Sequence, residues 1–446
     1  MKHVSYARPF RYHYLFIQVI ALGCLLTLAR CTDKVEVTRT YRYMKPVYMT
    51  TNELRSSFAI EPPQTLSTTG KIYYLAPYLL INKPGEGIHV IDNSDPANPV
   101  NLSFINIPGN YDMAAKGTTL YADSFIDLLA LDISDLDHVQ ITKRVENVFP
   151  RYNSWATMID GEDVVLTDWV EEEVVEVMEG DLDEFAPGLY RYQEGIVMND
   201  WASFEKLSSF ANTDRAAAGG SGQAEAGVGG SMARFAISGE RLYTVDDSDL
   251  QVFDISQLDD PEGINKTNIA FSIETIFPYK DKLFIGSQIG MFIYDISNPD
   301  NPVQESEFTH MRSCDPVVAN DSLAYVTLRD GSECWGGNNV LEVVDIENVN
   351  NPQLVATFQM EHPHGLGIDG TLLFICEGEF GLKIFDATDT QSISENLLAN
   401  IDNIHAFDVI PLGGVLMVIG QDGLYQYDYS DPNNIELLSK MTLAAL

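Results

Sequence analysis

Side chains able to do chemistry are sparse in this chain and fall into a few short patterns. His362-Pro363-His364 resembles a two-ligand metal element, yet no third ligand can be assigned and the proline stiffens the pair. Asp246-Asp247-Ser248-Asp249 is an oxygen-rich turn that could meet calcium. It lacks the Gly and the distant Glu of a dedicated loop, so a solvated turn is expected. Gly365-Leu366-Gly367-Ile368-Asp369-Gly370 matches GxGxxG literally but continues into Leu372-Leu373-Phe374 rather than a helix, so no helix N-terminus follows to hold a pyrophosphate. GxSxG, HExxH, CxxC and P-loop sequences are absent. Neither a cofactor nor a metal is expected, and no nucleophile is paired unambiguously with a base.

The elements that must position these residues come from a repeat. An apolar-Asp phrase recurs at Asp92, Asp132, Asp254, Asp295, Asp345, Asp386 and Asp428, with spacings of 40, 122, 41, 50, 41 and 42 residues. That period suits a four-stranded propeller blade of about 40 to 45 residues. Runs such as Leu250-Gln251-Val252-Phe253 alternate with the period of two of a half-buried strand. A turn residue opens a second strand upstream of each anchor: Ala76, Gly117, Gly239, Lys280, Asp321, Gly370 and Gly413. Anchor minus opener is 15 or 16 in six of the seven and 24 in the fifth. A two-layer sandwich would also be all-β but would not give equal units. The expected fold is therefore an all-β propeller of four-stranded blades. Each repeated Asp is expected to end a strand and accept backbone N–H bonds in an Asx-turn.

The pattern breaks in two places. The 122-residue interval holds one period plus about 81 residues. Within it, Gly161 and Glu176 stand 15 apart, as a degenerate unit or one long inserted hairpin would place them. Seven blades are expected, or eight if the unit around Gly161 to Glu176 completes one. The insertion is set at about 151–232, with a flexible Gly/Ala-rich loop at 216–230. In the fifth unit the longer B-to-C loop carries Cys334, while Cys314 lies in the D-to-A connection. Both thiols fall on one rim, and a Cys314–Cys334 disulfide would contribute about 3 kcal/mol. Cys376, in an apolar strand, is expected to be a buried thiol.

In register, the start of each innermost strand falls on the face that carries the long loops. Those positions are Lys71, Asp112, Arg234, Glu274, Asp315, His364, and His405 with Asp408, a candidate ligand-binding ring of solvated polar groups around a water-filled channel.

The chain has 446 residues, 27 Lys plus Arg against 65 Asp plus Glu, and a formal net charge of −38. Such a surface repels phosphate backbones, so nucleic acid is excluded as a partner. Residues 1–30 read as an export signal: Lys2, Arg8 and Arg11 precede an apolar run from Leu15 to Leu28 that is short for a span. Leu28-Ala29-Arg30-Cys31 resembles a bacterial lipobox, with Arg30 as a departure, and Cys31 is the candidate lipidation site. Ala21-Leu22-Gly23-Cys24 is the competing one. Residues 31–59 then form a linker and 60–446 the propeller.

The repeat resembles the LVIVD repeat family over about residues 60–446, most closely in Gly87 to Val100, Leu250 to Ser256, Met291 to Val303 and Leu382 to Asp386. That resemblance implies a propeller of exported bacterial proteins, commonly lipoproteins of the Bacteroidetes type, most without an assigned activity. The expectation is a cell-envelope lipoprotein, anchored to the outer membrane only by its lipid and facing the periplasm or the outside. It would bind an envelope protein or a glycan without catalysis. The alternative is an extracellular hydrolase of carbohydrate or small esters at the channel mouth.

Overall fold

The computed structural model describes residues 35–149, 158–180, 191–192, 195–197, 226–309, 316–330 and 338–442. The chain divides into two compact units, Met1–Pro46 with Trp169–Trp201 and Val47–Asp168 with Ala202–Leu446. Among the described residues the strands make eight sheets, and no helix is long and apolar enough to cross a membrane.

Seven sheets lie in the larger unit, each built on four antiparallel strands consecutive in the chain, A to D. Blade 1 is Ile72–Leu75, Tyr78–Lys83, Gly87–Asp92 and Val100–Asn106. Blade 2 is Met113–Lys116, Thr119–Ser124, Asp127–Asp132 and Gln140–Val145. Blade 3 is Phe235–Ser238, Arg241–Val245, Asp249–Asp254 and Glu262–Asn268. Blade 4 is Ile273–Tyr279, Lys282–Ser287, Gly290–Asp295 and Val303–Thr309. Blade 5 is Val317–Ala319, Leu323–Leu328, Val340–Asp345 and Gln353–Gln359. Blade 6 is Leu366–Asp369, Leu372–Cys376, Leu382–Asp386 and Leu397–Ile401. Blade 7 is Ala406–Leu412, Val415–Gly420, Gly423–Asp428 and Glu436–Thr442. Each A strand touches the A strand of the next blade, and that of blade 7 touches that of blade 1, so a ring of seven closes. The closing contact is apolar, with Ile410, Met417 and Ile419 against Leu79 and Ile81.

Blade stacking explains the sequence pattern. Strands B and C are covered on both faces, so they read as continuous apolar runs such as Leu79-Leu80-Ile81 and Leu128-Leu129-Ala130-Leu131. The D strands of blades 2 to 7 lie outermost and are largely solvated. All seven Asp anchors are the last residue of strand C. Each accepts the N–H two residues on at 2.7–3.3 Å, the expected Asx-turn. Every C–D pair also carries one register shift, a bulge repeated blade after blade. The seven openers sit in the A–B turns. Gly117, Gly239, Gly370 and Gly413 have φ between +57° and +60°, which explains glycine there.

Two expectations are corrected. The unit around Gly161 to Glu176 is not a blade, because from Glu162 the chain runs as one strand to Gly180 beside Val35–Thr50 in a five-stranded sheet. The expected linker at 31–59 is structured from Val35: strand β1 (Val35–Thr50), helix α1 (Thr51–Ser56) and strand β2 (Ala59–Glu61). The alternation Val35-Glu36-Val37 and Tyr41-Arg42-Tyr43 favours the strand. Thr50 caps α1 in a capping box with Glu53. In the larger unit β2 extends the outer edge of blade 1 by pairing with Val100–Asn106. In the smaller unit Arg42 pairs with Glu171 at 3.1 Å, and Glu172 receives Lys45 and the Tyr43 hydroxyl.

Candidate binding face at the channel mouth

Among the described residues, seven of the eight ring positions lie at or beside the start of an A strand. Lys71, Asp112, Arg234 and His405 immediately precede strand A of blades 1, 2, 3 and 7. Glu274 and Asp408 are its second and third residues in blades 4 and 7, and His364 stands two residues before it in blade 6. Asp315, Cys31, Cys314 and Cys334 lie outside the described residues.

The structure gathers these residues into separate groups rather than an even ring. Lys71 and Asp112 form a buried ion pair. The same Asp112 Oδ2 accepts the Arg234 N–H at 2.6 Å, and Oδ1 accepts the Met113 N–H at 2.7 Å. Burial pushes the Lys71 ammonium down, and Asp112 opposes that. Behind the pair, Asp123 Oδ1 accepts Tyr111 N–H, Asp112 N–H and Asn110 Nδ2 at 2.7–2.9 Å, and burial still raises its carboxyl to about 6. On blade 4, Gln288 donates to Glu274 at 3.1 Å. The turn at Asp246 is not solvated as expected. Asp246 is buried and its Oδ1 accepts the N–H groups of Ser248 and Asp249, while burial raises the neighbouring Asp247.

The channel is not an open water-filled passage. The end of the insertion, residues 226–233, runs through it. Ala226 bridges Lys116 and Gly227 donates to Ala115 O on blade 2; Val228 and Gly229 pair with Tyr74 and Tyr73 on blade 1. Ser231 then donates to Asp408 Oδ1 of blade 7 at 3.2 Å and accepts Leu366 N–H of blade 6 at 2.8 Å. Ala233 O takes Ile276 N–H of blade 4, and the chain enters blade 3. This corrects the flexible-loop expectation for 226–230. The small residues there are needed for fit: a Cβ on Gly227 would meet Tyr73 at 2.2 Å, and one on Gly230 would meet Asp408 at 2.4 Å. It also corrects the solvated ring, since Lys71, Asp112 and Asp408 are buried by this segment and the blades around it.

A different cluster faces the mouth on blades 5 to 7. The rings of His362 and His364 meet edge-on at 4.8 Å, His364 lies 5.4 Å from Phe407, and Phe407 lies 4.9 Å from His405. Arg329 Nη1, from the end of strand B of blade 5, contacts both nitrogens of the buried His364 ring, at 3.1 Å for Nε2. The B–C turn of blade 6 is pinned to blade 7 by two 3.0 Å bonds between Gly378 and Ala406. A Cβ on Gly378 would come within 2.9 Å of His364 Nε2, so its backbone is the floor under the imidazoles. Glu377, fully buried, accepts the N–H groups of Glu361 and His362 and pairs with Lys383 at 3.1 Å. Burial and the nearby Arg329 hold His362 below the ordinary imidazole range.

Among the described residues, no three His, Cys, Asp or Glu side chains converge as a metal would require. Gly365 to Gly370 run along strand A of blade 6 into a tight turn, with Gly365 against Asp408 and Gly367 against Pro411, a packing role for both glycines. Cys376 is buried, and burial raises its thiol well above the usual value. The ring expectation omitted Arg329, Phe407, Ser231 and Asp123. Only Phe407, two residues after His405, stood in a position that register could have selected.

No family model and no curated protein matches this sequence. Among solved structures, the chain is similar to the computationally designed Ika8 protein at 9% identity, over 86% of this chain and 91% of that one, with a TM-score of 0.49. It is also similar to BamB from Moraxella catarrhalis at 7% identity (87% and 97% covered, TM-score 0.44) and to Saccharomyces cerevisiae Sqt1 at 8% identity (86% and 88% covered, TM-score 0.44).

Proposed function

We propose that this chain is an exported, lipid-anchored propeller of the LVIVD type that binds a glycan or an envelope protein through its loop-rich rim, without catalysis. The observation that carries this reading is the filled channel. Residues 226–233 occupy the place where a central cavity would hold substrate, and Asp112 and Asp408 are hydrogen-bonded to the chain itself. A hydrolase needs two acid–base groups facing a bound substrate. Here Asp112 and Asp408 are buried and accept hydrogen bonds from the chain itself, whereas the half-buried rings at the rim of blades 6 and 7 are His362, His405 and Phe407, with Asp330 and Glu379 near His362. The basic residues followed by an apolar run in residues 1–30, and the lipobox-like Leu28-Ala29-Arg30-Cys31, are the sequence features that support an envelope location.

Two measurements test the reading. Membrane fractionation of the full chain against Cys31→Ser should move the protein from the envelope pellet to the soluble fraction, and an unchanged distribution overturns the anchor. Site-specific photo-crosslinkers placed at rim positions, in cells, should capture one envelope component in preference to the same crosslinker on a D strand. Turnover of nitrophenyl glycosides or esters by the purified protein, abolished by Asp408→Asn, would instead establish the hydrolase.

A further inference from the structure

We propose that Lys71 and Asp112 become joined, once the chain has folded, by an amide bond between Lys71 Nζ and Asp112 Cγ, a covalent tie from blade 1 to blade 2 beside the channel. The two side chains are in hydrogen-bond contact, and the residues are only 5% and 2% exposed. Among the described lysines, Lys71 alone is buried. The contacts Lys143–Asp260 and Lys280–Asp321 stand in solvent, and Lys383, opposite the buried Glu377, keeps 18% of its side chain exposed. A hydrated ammonium is no nucleophile, whereas a desolvated one gives up its proton readily. Burial and the charge of Arg234 both push Lys71 toward the free amine, against the pull of Asp112.

The surroundings fix both partners and polarise the carboxyl group. On blade 1, Lys71 O accepts the Asn82 N–H at 2.8 Å, and the Tyr73 hydroxyl crosses to Ala115 O of blade 2 at 3.1 Å. On blade 2, Asp123 Oδ1 accepts the N–H groups of Tyr111 and Asp112 at 2.7 and 2.9 Å, which holds the backbone that carries the carboxyl group. The Arg234 and Met113 N–H groups sit on the two oxygens of Asp112 at 2.6 and 2.7 Å, where negative charge gathers as the nitrogen attacks Cγ. Within the pair, one ammonium proton passes to the carboxylate and the free amine attacks Cγ. The C–N bond forms, one C–O bond breaks, and that oxygen leaves as water with the proton it took and one more from Nζ. Ammonium and carboxylate thus become amide and water, with no change of oxidation state and no co-reactant. A contact held by the fold replaces a bimolecular encounter, and exclusion of bulk water opposes hydrolysis of the product.

Tryptic mapping of the denatured full chain tests this. Trypsin cuts after a free Lys71 and not at Lys83-Pro84, so an unjoined chain yields peptides 56–71 and 72–116. The joined chain should keep 56–116 in one piece, lighter than its sequence mass by one water, with fragmentation placing the loss on Lys71 and Asp112. Lys71→Met should give 56–116 at full mass, and Asp112→Ala should restore cleavage after residue 71. The parent map decides the matter even if either variant fails to fold. Recovery of 56–71 and 72–116 as the main products from protein kept folded for a prolonged incubation overturns the proposal. So does a parent 56–116 peptide of full mass, which would be missed cleavage. Neither result bears on the reading of the rim as a binding face.

Discussion

Asn93 and Gln426, 333 residues apart, exchange two amide hydrogen bonds of 2.9 and 2.7 Å across the joint between blade 7 and blade 1. Both side chains are buried, and Gln426 also reaches Pro96 O at 3.1 Å, which Ser439 Oγ shares at 2.6 Å. This polar latch lies beside the apolar seam at Leu79, Ile81 and Met417. It is what gives the closing joint a fixed register, since amide pairs are directional and hydrophobic contact is not.

Removing one half of the latch should strand the other. Asn93→Ala or Gln426→Ala is expected to lower stability by about 1–3 kcal/mol each, the cost of a buried polar group left without its partner. The double variant should cost less than the sum of the two. Urea unfolding of the three variants reads this directly, and additive losses would mean that the two amides act independently.

The channel segment gives a second prediction. Ser231→Ala removes both the donor to Asp408 and the acceptor of Leu366 N–H, and should destabilise by about 1–3 kcal/mol. Gly230→Ala places a methyl 2.4 Å from Asp408 Oδ2 and should cost about 1–3 kcal/mol through overpacking. Native-state proteolysis within 226–233 should become faster in both variants. Variants that match the parent in stability and cleavage would argue against a packed channel.

Much of the propeller was legible because its signals are local. The Asx-turn at Asp92 needs only Ser94, and the A–B turn at Gly370 needs only a left-handed residue, so both recur wherever the short phrase recurs. The channel segment was not legible because Gly227 and Gly230 are small for the sake of Tyr73 and Asp408, which lie far away in sequence. A Gly/Ala run required by tertiary crowding reads like one that is merely flexible. The rim was half legible: register found His364 and His405, whereas Arg329 joins them only because blade 5 stacks on blade 6. The strand at Val35–Thr50 was visible in its own alternation and was masked by its closeness to the leader.

Acid stability should show two opposed contributions that variants can separate. His89 is fully buried beside Phe104, neither ring nitrogen has a hydrogen-bond partner among the described residues, and burial lowers it from 6.5 to about 4. Between those values the unfolded chain holds the extra proton, so stability falls as pH drops from about 6.5 to about 4. Asp123 is raised by burial from 3.8 to about 6, so here the folded chain holds the extra proton and stability falls as pH rises through that window. His89→Leu should therefore gain on the parent as pH decreases. Asp123→Asn, which keeps an acceptor oxygen at Oδ1, should gain on it as pH increases from about 4 to about 6. Melting curves that stay parallel to the parent across this range would refute both assignments.

The last prediction concerns how α1 is held to blade 2 within the larger unit. Asp127 is fully buried and receives Arg55 through Nε at 2.9 Å and Nη2 at 3.2 Å, Arg144 at 3.1 Å and the Asn147 N–H at 2.9 Å. Burial raises its carboxyl, but the hydrogen bonds from Arg55 and Asn147 together with the charges of Arg55 and Arg144 hold it below the ordinary value. The folded pKa is thus depressed, so this contribution is full above about 3.8 and is lost as pH falls below it. Asp127→Ala leaves Arg144 without this carboxylate and Arg55 with only the exposed Glu146 at 2.8 Å, and should cost about 3 kcal/mol, the lower end of the scale for a broken buried ion pair. Arg55→Met, which removes only one cation and keeps its aliphatic length, should cost less, because Arg144 still neutralises the carboxylate. Hydrogen exchange in α1 separates docking from global stability. Faster exchange at Leu54 and Arg55 in Arg55→Met, with the blade 2 amides unchanged, is the expected result. Uniform acceleration across the propeller would show that the network stabilises the whole ring rather than the attachment of one helix.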